Sequence, residues 1–126
     1  MTDITEWLKQ SEYDLDTALY MYEGGRYFYA VFMCHLSMEK MLKALYLKKF
    51  KVPAPKTHNL AYLVEKTETE LSEELLEFVF GLNDAGVATR YPETMKNIEL
   101  EFPGIKTKKI IEMTKETLEC IKQKLE

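Results

Sequence analysis

The sequence predicts an all-α protein, an up-and-down helical bundle of four long helices plus a short helix, on three observations. Leu, Glu, Lys, Met and Ala, which favour helices, are abundant, whereas the 126 residues include only five Gly and four Pro. Apolar residues recur at three- and four-residue spacing through most of the chain. No alternating stretch is bounded by hairpin turn signals. At this length a single domain spanning residues 1–126, with one well-buried core, is expected.

Taken in order, residues 3–23 make the first helix. Thr2 or Asp3 caps it, Glu6 lies in the first turn, and Trp7, Leu8, Leu15, Ala18, Leu19 and Tyr22 repeat at helical spacing. Gly24-Gly25 supplies the permissive backbone that stops it. The second helix runs from about Arg26 to Phe50, with Tyr27, Val31, Cys34, Met38, Met41, Leu42 and Leu45 on one broad face. Phe28, Ala30, Phe32, Ala44 and Leu47 spread apolar surface beyond that face, as expected of a central helix or one that meets another subunit. Residues 52–58, with two prolines, form a loop, and Thr57 caps a short helix that starts near Asn59. A third long helix is expected over Ser72–Ala88, and Pro92 prevents its continuation. Residues 91–104 read as a long connection. The last helix, Lys106–Leu125, directs Ile110, Met113, Leu118, Ile121 and Leu125 to the core.

Charge and composition narrow the function classes. The net charge of −4 disfavours a dedicated duplex-DNA binder. Lys40 to Val64 nevertheless holds six lysines and no acid, and an acidic run from Glu65 to Glu77 follows. That pattern is either two solvated helix faces or a local cationic site for phosphate. The N-terminal MTDITEWLKQ is not a secretory signal. The most apolar stretch contains His35, Glu39, Lys40 and Lys43, and each charge at a bilayer centre costs about 2.5–3.5 kcal/mol, so no membrane span and a cytoplasmic location are expected. Cys34 and Cys120 do not make a disulfide framework and read as small core residues, with a reactive thiol or a bridge as the alternative.

No cofactor and no metal are expected. Neither histidine has a glutamate three residues before it, as di-metal bundles require, and no Cys/His cluster has zinc spacing. No glycine-rich phosphate loop and no nucleophile–base pair is evident, so no catalytic residue is assigned. Three polar groups remain as candidates. His35, Glu39 and Lys43 form an i, i+4, i+8 ladder on the second helix, either a stripe that satisfies itself beside the core or the wall of a groove, with Lys40 further round. His58 stands at a loop-to-helix junction, where it locks the loop or, with Lys56, meets a phosphate at the helix start. Arg90 is a planar anion clamp or a tie between the connection and a helix end.

A helix followed by Gly24-Gly25-Arg26-Tyr27, then AVFMCHLSMEKMLKAL over residues 30–45, then Thr57-His58-Asn59-Leu60 and later Arg90-Tyr91-Pro92, resembles the HEPN domain (higher eukaryotes and prokaryotes nucleotide-binding). Glu39, Lys40, Lys43 and Ala44 match its Glu-Lys-x-x-Lys-Ala hallmark. The likeness covers nearly the whole chain. It implies a prokaryotic helical bundle, usually a homodimer, often beside a small nucleotidyltransferase and sometimes in a toxin–antitoxin pair. Many members are metal-independent ribonucleases that use an Arg followed four to six residues later by His. Here Arg26 and His35 fall on opposite helix faces, and no histidine follows Arg90. Charge clustering and resemblance together lead to a non-catalytic nucleotide-binding or regulatory module, with Lys40, Lys43, His58 and Arg90 at the nucleotide phosphate and His35 and Glu39 in support. The alternatives are an RNA-directed ribonuclease without the usual motif and a purely structural interaction module.

Overall fold

A computed structural model describes residues 2–126, and it is all-helical: α1 (Ile4–Glu23), α2 (Tyr27–Phe50), α3 (Leu60–Thr67), α4 (Glu73–Arg90), α5 (Met95–Glu101) and α6 (Gly104–Gln123). Asp3 starts α1, its Oδ1 accepting the Glu6 amide at 2.8 Å. At the other end Gly25 takes φ 76°, which lets the Arg26 amide return to the Met21 carbonyl at 2.8 Å and turns the chain into α2.

α2 is the hub. It packs against α1, α3, α4 and α6, which is why its apolar surface extends round most of the helix. Val31, Cys34, Met38 and Leu42 are fully enclosed, with Leu60 and Leu63 of α3, Val79 of α4 and Ile121 of α6 among their fellow core residues. α1 and α2 approach closely through small residues. Ser11 Oγ donates to the Ser37 carbonyl at 2.8 Å and Ser37 Oγ donates to the Ser11 carbonyl at 2.7 Å, so both buried hydroxyls are satisfied.

Three local expectations are revised. Asn59, not Thr57, caps α3, accepting the Tyr62 amide at 3.0 Å; Thr57 instead accepts the Asn59 amide at 3.1 Å. The 91–104 connection contains α5, capped by Thr94 and anchored by buried Ile98 and Phe102. With only two anchors, the periodicity is too short to separate from a loop. In α6 the buried face is Thr107, Ile111, Thr114, Thr117, Leu118 and Ile121, while Ile110, Met113 and Leu125 are half-buried. Thr114 and Thr117 donate to the carbonyls of Ile110 and Met113, so their hydroxyls enter the core already paired.

Candidate functional site

The middle of α2, the loop before α3 and the second half of α4 enclose a cavity of about 310 Å³, lined by His35, Thr57, His58, Asn59, Asn83, Gly86, Val87, Arg90 and Tyr91. Gly86 brings the helices together. A Cβ there would lie 2.1 Å from His35 Cδ2 and 2.5 Å from Cγ, so only glycine admits the ring. The Leu60 amide donates to Asn83 Oδ1 at 2.8 Å, and Asn83 Nδ2 donates to Asn59 Oδ1 at 3.3 Å, fastening α3 to α4 at the rim.

His35 is 2 % exposed. Burial lowers its pKa to about 4; the Glu39 carboxylate opposes that shift, whereas the positive charge of Arg90 reinforces it. The backbone of His58 approaches the imidazole and opposes the shift a little, and the His58 ring adds slightly to it. The imidazole is therefore neutral at pH 7, and its buried Nδ1 meets no hydrogen-bond geometry among the described residues.

Glu39 is the structural centre of the cluster and is buried itself. Lys43 Nζ donates to its Oε2 at 3.0 Å, and His58 Nδ1 lies 2.8 Å from its Oε1. An ionised carboxylate only accepts, so the proton of that second bond sits on His58 Nδ1 and leaves Nε2 as the free nitrogen. The ladder thus closes on Lys43 as its spacing suggests, but its other oxygen goes to His58 and not to His35.

The predicted cationic residues are not all brought together. His58 and Arg90 line the cavity. Lys43 is buried against Glu39, with its Nζ 5.7 Å from the Trp7 ring centroid. Lys40 lies 2.7 Å from Asp14 Oδ2, an ion pair without hydrogen-bond alignment, and is not part of the lining. Lys56 is exposed and outside the lining as well. The α3 start is not an open donor set, because Asn83 and Asn59 already hold the Leu60 and Tyr62 amides. Arg90 forms no ion pair among the described residues, and its guanidinium carbon stands 5.1 Å from the Phe32 ring centroid.

Asn59, Asn83 and Gly86 were not singled out from the sequence as site residues. A glycine inside a helical pattern is a signal of close backbone approach, and Gly86 carried it. Elsewhere, a trough of about 500 Å³ between α4 and α6 is lined mainly by apolar groups such as Phe78, Leu82 and Phe102. Cys34 is enclosed and its thiol is pushed up to about 12 by burial, against a small opposing contribution from Thr114; both cysteines are free. Among the described residues no group of three or more His, Cys, Asp or Glu is placed to hold a metal ion. No described helix is long and apolar enough to cross a membrane.

Two solved structures share this architecture. TT1696 from Thermus thermophilus superposes with a TM-score of 0.82 at 19 % identity, covering 98 % of this chain and 99 % of that one. ST0689, an archaeal HEPN homologue, gives 0.80 at 22 % identity with complete coverage of both chains. These likenesses show the fold. No curated protein matches the sequence. The sequence profile of the HEPN domain matches residues 4–125, and the chain belongs to the HEPN domain family.

Proposed function

We propose that this protein is a non-catalytic nucleotide-binding or regulatory module whose ligand places a phosphate against Arg90. The observation that carries the reading is Arg90 itself. It is a guanidinium without a carboxylate partner among the described residues, on a cavity that also gathers two histidines and two asparagines. Guanidinium is the side-chain group best suited to fork two oxygens of a phosphate. His58 is the second contact in this proposal. Lys40 and Lys43 are taken up by ion pairs with Asp14 and Glu39 and do not touch the ligand in this proposal. Calorimetric titration of nucleotides into wild type and Arg90→Ala tests it: saturable binding that weakens at least tenfold in the variant is expected, and flat titrations across the panel refute it.

The family likeness supports the rest of the reading, a homodimer that works beside a small nucleotidyltransferase in a toxin–antitoxin-like pair. Sedimentation at micromolar concentration, followed by co-purification with a genomically adjacent nucleotidyltransferase, tests those two parts separately. A monomer at all concentrations removes the first, and no complex removes the second.

One observation favours a second reading, an RNA-directed enzyme. Glu39 orients His58 so that Nε2 is its free ring nitrogen, and Arg90 lines the same cavity. A carboxylate-held imidazole next to an anion-binding guanidinium is the equipment for taking a proton from a ribose hydroxyl. RNA cleavage abolished by His58→Ala would decide for this reading; intact RNA under the same conditions decides against it.

A further inference from the structure

We infer that the guest of the His35–His58–Arg90 cavity is a nucleoside monophosphate, and that nucleoside triphosphates are poor ligands. The inference rests on the nucleotide reading above and adds the charge class of the ligand. Of the residues that line the cavity, Arg90 is the only one with a permanent charge, and no Asp or Glu is among them. Directly behind the lining, Glu39 and Lys43 cancel in a buried pair. Lys40, the remaining lysine of the α2 motif, is neutralised by Asp14 outside the lining. The built-in charge of the site is therefore a single positive one.

A phosphate monoester carries about −1.5 to −2 at neutral pH, which one guanidinium can largely offset. Each further phosphoryl group adds negative charge with no second fixed cation in the lining to receive it. Proteins that hold polyphosphates also offer a row of open amides at a helix start or carboxylates that retain Mg²⁺. Here the Leu60 and Tyr62 amides at the α3 start are occupied by Asn83 and Asn59, which leaves no row of open amides, and both Glu39 oxygens are occupied by Lys43 and His58. The volume of about 310 Å³ is at the small end for ligand cavities. The side chains of Asn59 and Asn83 are neutral, so they suit the uncharged sugar or base edge rather than more phosphate.

The test compares each nucleoside monophosphate with its triphosphate by calorimetry, with Mg²⁺ and with EDTA. At least one monophosphate is expected to bind at least tenfold more tightly than its triphosphate in both buffers. Arg90→Ala and Arg90→Gln, with helicity checked by circular dichroism, should each weaken it at least tenfold, and Lys40→Ala should leave it within twofold. A triphosphate that binds as well as or better than its monophosphate overturns the inference and leaves the nucleotide reading standing. So does a loss in Lys40→Ala, whereas unchanged binding in both Arg90 variants overturns the inference and the Arg90 reading together. No binding by any nucleotide overturns both.

Discussion

Gly81 and Gly86 lie on the same helix, and replacing each with alanine separates backbone propensity from packing at the site. In a helix interior, Gly→Ala stabilises by about 1 kcal/mol when the methyl meets nothing. Gly81 is exposed, and its added Cβ has no heavy atom within 4 Å, so Gly81→Ala should show that gain. At Gly86 the same methyl would sit 2.1, 2.5 and 2.6 Å from Cδ2, Cγ and Nε2 of His35, where ordinary contact begins near 3.4 Å. The ring is buried beside Glu39 and Arg90 and must move by more than an ångström to make room. Overpacking of this kind costs about 1–3 kcal/mol, and the depth of the clash argues for the upper end. Because propensity contributes equally at both positions, the difference between the variants reads the packing cost alone, about 3 kcal/mol. That corresponds to about 10 °C between their melting temperatures for a domain of this size. Thermal and urea unfolding followed by circular dichroism measure it. Melting temperatures within about 2 °C of each other would show that His35 is not wedged against α4, and the account of the cavity wall would fail.

Other outcomes follow from the same cluster. With a folded pKa of about 4 against 6.5, His35 binds its proton more weakly in the native state, so stability falls as pH drops from about 6.5 to 4 and levels below that. The loss is about 3 kcal/mol, read by urea unfolding across that range in wild type and His35→Gln; equal pH slopes in the two proteins would contradict it. Lys43→Met breaks a buried ion pair and leaves Glu39 with His58 alone, and it should destabilise by about 3–5 kcal/mol, whereas a cost below about 1 kcal/mol would mean that the pair is solvated. Cys34, enclosed and with its thiol at about 12, should stay unreacted with a thiol reagent in the native protein while half-buried Cys120 reacts first; early modification of Cys34 would show that the α2–α6 contact opens.

The sequence by itself determined the helical class, the four long helices and the membership of the family, and it left α2 as either a central helix or one that meets another subunit. Those properties are written in local terms: a Gly-Gly stop, caps such as Asp3 and Ser72, prolines between helices, and apolar residues repeating along one segment. α5 escaped because one turn-pair of anchors, Ile98 and Phe102, is not a period; in α6, Leu118 and Ile121 were legible as core, but Thr114 and Thr117 were not, because they satisfy their hydroxyls on their own backbone. The candidate site belongs to the other category. Which oxygen of Glu39 meets Lys43 and which meets His58, whether Lys40 faces a ligand or Asp14, and how closely Gly86 lets α4 approach His35 are all relations between distant segments. Spacing along a helix states which side chains can share a face. Only the packed neighbours decide which of them are neutralised and which, like Arg90, line the cavity without an ion-pair partner among the described residues.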